Sequence, residues 1–386
     1  MLKLIKKLKV SENWMKIREK FYPTKKNDPE HRALLFNAMT RYKKCTDKKN
    51  TSQIKREIQV CKKYWKCYPY HYFLYDLYKR DMEITDDELI NYIPHFYWYR
   101  LFLPYYRSSK FMMITDNKII TDQIFRSLKI PQPETLFYIF HGHLYSPEMV
   151  QLTQDQIEHE LNNTSIEKIF VKPAQGSGGY GINIFHKTDR GHYETRQNII
   201  FNGDFLAMLQ KNQDYIVQAG IAQDPEISGI YPGSVNTFRI IAENINGVVR
   251  IVCAVMRIGR GQSEIDNASS GGIFIKTDID SGKLGDFATS YNCEKFKEHP
   301  DTHFVFQNFT ISRWDEIKRF SIEAASKVPF FTYLGWDIAL TANGPLVIEI
   351  NSNPAHDIME ISSNGLREAF GIEDPDYYWK NPGKRM

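Results

Sequence analysis

The sequence predicts an α+β protein in which a helical N-terminal region precedes a sheet-rich body. Up to about Arg107 the chain is dense in Tyr, Trp, Phe and Lys, largely at helical spacing, with CKKYWKCYPYHYFLYDLYKRD its densest part. From about Ile166 strands alternate with a few helices, and most of the glycines lie there. Between the two, MITDNKIITDQIFRSLKIPQPETLFYI predicts a helix over about Lys118–Leu128, stopped by Pro131 and Pro133. The expected division is residues 1–107 as the N-terminal region and 108–386 as a second domain, with subdomains at about 130–220 and 221–360.

At 386 residues the chain is long enough for two or three domains with sizeable cores. No apolar run approaches the roughly 20 residues needed to span a bilayer, and MLKLIKKLKV lacks the apolar stretch and cleavage site of a secretory signal, so a cytoplasmic location is expected. Five cysteines without a C-x-x-C pair argue for reduced thiols and against zinc. The net charge of +4 hides an asymmetry: residues 1–66 carry 20 Lys and Arg against 6 Asp and Glu. Such a basic end suits an anionic partner, or else helices with solvated lysine faces. In MLKLIKKLKV, Leu2, Ile5 and Leu8 share one helical face among lysines, which suits either an anchor on an anionic membrane surface or an ordinary surface helix. Aromatics interleaved with lysines could stack on bases. Their helical spacing favours a core instead, and no nucleic acid partner is expected.

In FVKPAQGSGGYGINIF, Gly176, Gly178 and Gly181 have the G-x-G-x-x-G spacing of dinucleotide sites. A dinucleotide fold needs a helix after the glycines, whereas Ile182–Phe185 alternates as a strand. The unit therefore reads as strand, glycine loop, strand: a flap whose backbone N–H groups can close over phosphates. Lys172 ends the first strand and completes a phosphate cradle. No GxxxxGK[ST] motif is present, which disfavours a P-loop.

The second half of the site lies in LGWDIALTANGPLVIEINSNP. Trp336, Ile338 and Leu340 share one side of a strand with Asp337 on the other; Leu346, Ile348 and Ile350 share one side of the next, with Glu349 and Asn351 opposite. A hairpin centred on Asn343 sets Asp337 across from Glu349, which requires an odd-length connection or a bulge around Asn343 and Gly344. Two carboxylates and an amide oxygen on one face suit magnesium on a nucleotide; the alternative is a solvated polar face. In DYIVQAGI, the strand end Gln218, Ala219 and Gly220 can offer backbone groups to an adenine edge. Arg239 in SVNTFRIIA could neutralise a phosphoryl group in transfer.

FVKP with its glycine flap, IVQAGI, NTFR, GWDIAL and VIEINSNP, in this order, resemble the ATP-grasp superfamily over about Ile114–Pro354. PGSVNTFRI and NASSGGIFIKTDIDSGKLG have the character of its sugar-transfer-associated group, found with polysaccharide and capsule biosynthesis genes. The resemblance implies two α+β subdomains clasping ATP with Mg2+. It implies Lys118 and Lys172 as the phosphate lysines, with Gln175, Gly176, Ser177, Gly178 and Gly179 as the flap over them. Gln218, Ala219 and Ile221 would border adenine, Asp224 would reach the ribose, Arg239 would face the phosphates, and Asp337, Glu349 and Asn351 would hold magnesium. Many members carry a glutamate where Gln218 stands, so the adenine contact would rest on backbone and amide groups. The implied chemistry is amide formation through an acyl phosphate, joining an amine to an acidic sugar of a cell-surface glycan or of its precursor. Two alternatives stand beside it: an ATP-dependent phosphotransferase acting on a sugar hydroxyl, and a nucleotide-binding scaffold of a membrane-associated glycan assembly complex. The scattered histidines, His356 included, read as structural rather than as bases.

Overall fold

The computed structural model describes residues 29–381 apart from 108, 177 and 210–212. The amphipathic stretch at Leu2–Leu8 and the flap residue Ser177 therefore lie outside the described residues. The chain divides into two compact units. One holds residues 1–107, 292–294 and 356–386; the other holds 108–291 and 295–355. The division at Arg107 is where the aromatic-rich region ends, but the stretch from His356 onward goes with the first unit and not, as the sequence suggested, with the second.

In the first unit, helices α1 (Pro29–Lys44) and α2 (Thr51–Trp65) pack around an aromatic core. Tyr72, Tyr78, Trp65, Tyr97 and Trp98 are all fully buried, so the interleaved aromatics are packing residues. A buried lysine–glutamate pair lies among them: Lys49 with Glu57 at 3.0 Å, completed by donors from Tyr72 and Gln53. His356 is buried against the Trp98 and His95 rings and bonds the Ile93 carbonyl. Burial pushes its imidazole down to about 3, which leaves it neutral, a core group and not a base.

The second unit is built on two seven-stranded antiparallel sheets. Strands β1 (Thr135–Phe140), β2 (His143–Tyr145), β3 (Gln151–Leu152), β4 (Lys168–Pro173), β5 (Asn183–Lys187), β6 (Tyr193–Glu194) and β7 (Tyr215–Ala219) form the first, in the order 3-2-1-7-4-5-6. Strands β8 (Thr237–Ile245), β9 (Val248–Ile258), β10 (Ile273–Thr277), β11 (Ala288–Thr289), β12 (Lys295–Phe296), β13 (Tyr333–Thr341) and β14 (Gly344–Asn351) form the second, in the order 12-11-10-9-8-13-14. Among the described residues no helix is long and apolar enough to cross a membrane.

Helix α3 (Lys118–Leu128) serves both sheets. Asn117 caps it by accepting from the Ile119 and Ile120 amides, and Lys129 ends it in the left-handed region at φ 52°, so the stop precedes the prolines. Its Ile119 packs on Tyr138 and Ile216 of the first sheet, while Phe125 stacks on Trp336 of the second. The Lys118 amide donates to the Ala174 carbonyl just past β4, which places the helix N-terminus beside the flap.

The β13–β14 hairpin departs from the expected connection. Thr341 pairs with Gly344 across a two-residue turn, an even-length loop that by itself would put Asp337 out of phase with Glu349. The phase is restored inside β14: Ile338 pairs with Val347 and Asp337 with Glu349, leaving Ile348 as an extra residue. The bulge thus lies at Ile348 and not around Asn343 and Gly344. The apolar side of β14 shifts with it, because Val347 and Ile350 join Trp336, Ile338 and Leu340 in the core while Leu346 and Ile348 do not.

Candidate functional site

The flap joins β4 directly to β5 without a helix. Gly176, Gly178, Gly179 and Gly181 all have positive φ, which side-chain-bearing residues rarely adopt, so the loop depends on glycine. The Gly176 carbonyl accepts from Lys118 Nζ at 2.8 Å, and the same ammonium lies 3.1 Å from Glu349 Oε1. Lys118 therefore ties the flap to β14. Gln175 is exposed, and its carbonyl accepts from Gln213. On the far side Ser270 Oγ approaches the Gly178 carbonyl at 3.4 Å.

Lys172 is buried one residue before the end of β4. Its Nζ donates to Gln218 Oε1 at 2.9 Å and sits 5.5 Å from the Phe170 ring centre. Burial lowers its pKa to about 8, with Glu349 raising it and Lys118 lowering it further. Lys172, Lys118 and Glu349 thus act on one another electrostatically. Ala219 and Gly220 spend their amides on the Glu134 and Lys168 carbonyls, which leaves half-buried Ile221 beyond the paired strand end. Asp224 caps the helix Pro225–Ile230 through one oxygen and accepts from Arg313 Nη1 at 2.9 Å through the other. Its carboxylate is engaged by the chain on both oxygens.

Across the second sheet, Arg239 on β8, Asp337 on β13 and Glu349 on β14 are successive cross-strand partners, so their side chains emerge on one face. Asp337 is buried and accepts from Arg239 through Nε and Nη2 and from Arg257 Nη2 at 2.9 Å. Burial alone would push its carboxyl up, but the two guanidinium groups outweigh that and hold it below the usual carboxylate range. Arg239 is correspondingly raised: burial opposes its charge and Asp337 more than compensates. Arg257 also donates to Thr237 Oγ1, and Asp266 accepts from both the Thr237 amide and its hydroxyl. Arg257, Thr237 and Asp266 were not singled out in the sequence. One signal was available for Arg257: a cation in the otherwise apolar IVCAVMRI demands a buried carboxylate.

Asn351 follows Glu349 on the same face and accepts from the Asn353 amide at 2.8 Å. Among the described residues no three His, Cys, Asp or Glu side chains are grouped to hold a metal by themselves. The donor set is two carboxylates and an amide oxygen. Asp337 is held ionised and Glu349 keeps a third of its side chain exposed. Hard oxygen donors of this number fit magnesium, which takes few protein ligands and completes its shell with water and phosphate.

A family model described as sugar-transfer associated ATP-grasp matches residues 99–371. No curated protein matches. Among solved structures, D-alanyl-alanine synthetase A from Vibrio cholerae aligns with a TM-score of 0.39 at 13% identity, over 69% of this chain and 66% of that one. The D-alanine-D-alanine ligase from Coxiella burnetii gives 0.38 at 13% identity, over 69% and 59%. Biotin carboxylase from Campylobacter jejuni gives 0.38 at 12% identity, over 69% and 46%. The chain thus spans between about half and two thirds of these structures' own lengths.

Proposed function

Because this chain belongs to the sugar-transfer-associated ATP-grasp family, we propose that it is an ATP-dependent carboxylate–amine ligase. The observation that carries the reading is the meeting of two sets of groups: Lys118, bonded to the flap at Gly176 and paired with Glu349, with Lys172 in the field of both, and Arg239, Asp337 and Glu349 in one row across a sheet. Lys118, Lys172 and the flap amides bind the phosphates of ATP; Gln218 and the chain at Ala219 and Ile221 border adenine. Asp337, Glu349 and Asn351 are the residues that would hold Mg2+, which when bound neutralises phosphate charge. A substrate carboxylate oxygen attacks the γ-phosphorus, the bond to the β-phosphate oxygen breaks, and ADP leaves. An amine then attacks the acyl phosphate carbon, phosphate departs, and the nitrogen loses a proton to give the amide. Arg239 and Lys172 stabilise the charge that accumulates on the transferring group, and no protein nucleophile is needed.

The acceptor is an acidic sugar or a glycan bearing one, and the amine is an amino acid or amino sugar. The test is incubation with ATP, magnesium, pooled amino acids and acidic sugars, with products identified by mass. An amide product with release of ADP supports the reading; a phosphorylated sugar formed without any amine replaces it with a phosphotransferase. The basic N-terminal region is the proposed contact to an anionic membrane surface. Its binding to anionic vesicles should weaken steeply above physiological salt, where the screening length is about 8 Å. Removal of the first twenty residues without loss of low-salt binding would end that role.

A further inference from the structure

Lys172 stands at the end of a chain of hydrogen bonds whose direction is set at its far end. Asp122 on α3 is buried, and its Oδ2 accepts from Arg126 Nε at 3.0 Å and from the Tyr138 hydroxyl. Its Oδ1 accepts from Thr135 Oγ1 at 2.6 Å. A hydroxyl has one hydrogen, so Thr135, having given it to a carboxylate, can only accept from its other neighbour. That neighbour is Gln218 Nε2 at 3.3 Å. The amide of Gln218 is thereby held with its nitrogen toward Thr135 and its oxygen toward Lys172. The opposite orientation would set an NH2 group against an ammonium and leave Thr135 facing a second acceptor without a hydrogen to offer.

The partner so presented is neutral. The charged groups that act on Lys172 are Glu349 from β14 and Lys118 from α3; β7 offers only the amide, and β4 the Phe170 ring. Glu349 is itself engaged by Lys118. Resting on the nucleotide reading above, we infer that Gln218 is a positioning residue, locked by Asp122 and Thr135, which fixes the Lys172 ammonium without neutralising it and so reserves its charge for an incoming phosphate. One Lys172 hydrogen is spent on the amide, and the others remain to meet the anion. Burial without a matching counter-charge is what brings Lys172 to about 8, and bound phosphate supplies the missing charge.

Two measurements on the full chain test this, one of them independent of nucleotide. In the first, unfolding free energy is followed against pH for the wild type and for Lys172→Met. A lysine whose folded pKa lies below its unfolded value binds fewer protons when folded, so wild-type stability relative to Lys172→Met should rise between about pH 8 and pH 10.4. Gln218→Glu supplies a counter-charge, raises the lysine and should abolish that rise. In the second, ATP affinity is measured across the same range. The wild type should weaken above about pH 8. Gln218→Glu should bind ATP about tenfold more weakly near neutrality and show no inflection there, and Thr135→Val should weaken binding through loss of the lock. A pH-dependent rise that survives Gln218→Glu, or one absent from the wild type, overturns the inference. If the rise behaves as expected but ATP does not bind, the reserve of charge stands and the nucleotide reading falls.

Discussion

Lys172 on the first sheet and Arg239 on the second are both buried cations, and they are held in opposite ways. Lys172 has a neutral amide for its nearest partner, and burial lowers its pKa. Arg239 shares a carboxylate with a second guanidinium, and its charge is secured. The contrast separates two tasks. A cation paired within the protein serves the fold as well as the site, and its removal strands its partner; a cation held by a neutral group contributes little to folding and keeps its field for a ligand.

The sharpest way to break this contrast is Asp337→Ala, which leaves Arg239 and Arg257 buried without their shared counter-charge. Loss of one partner of such a cluster costs about 3–5 kcal/mol, and denaturant unfolding should read a loss of that size. Arg239→Ala comes next. Turnover should fall by about 100- to 1,000-fold, the scale of a lost transition-state donor, while stability falls by less than in Asp337→Ala because Arg257 stays on the carboxylate. Equal stability losses in the two variants would show that Arg257 does not share the load. Saturating Mg-ATP, at about 100 times its dissociation constant, should stabilise the wild type by roughly 2.7 kcal/mol, and NAD should not. Lys172→Met should leave stability at neutral pH unchanged or slightly raised while weakening ATP binding about tenfold, the inverse of the Asp337 result. Smallest is Lys118→Ala: its pair with Glu349 is partly exposed on both sides, so about 0–1 kcal/mol of stability is at stake, and the readout is freer proteolysis of the flap.

The legible parts of the molecule are those whose signals are local. Asn117 before an apolar period announces α3, and the strand that follows the glycines excludes a dinucleotide turn. The facing of Asp337 and Glu349 was legible through parity, although the residue that secures it is not where the turn suggested. The capping role of Asp224 was also written locally, as Asp-Pro-Glu at a helix start. What could not be read is the set of side chains joined across elements: Thr135 to Asp122, and Arg257 to Asp337, are brought together only by sheet order and by the packing of α3. The return of the chain from His356 to the first unit carries no periodic signal for the same reason.

The extra residue at Ile348 separates two kinds of variation in the hairpin. Changes at the tip, Ala342 and Asn343, fall on the far side of it from the functional row, so a tip exchanged for another two-residue turn leaves the row untouched. Drawing Ile348 into the ladder would do the reverse: with β13 held by β8, Ile348 would stand opposite Asp337, and β14 would trade Glu349 and Asn351 for Ile350 on the polar face. A slip in pairing that removes no residue would then erase the row as thoroughly as replacing its carboxylates, while deletion of Ile348 itself, which leaves Val347 opposite Ile338 and Glu349 opposite Asp337, would pass unnoticed.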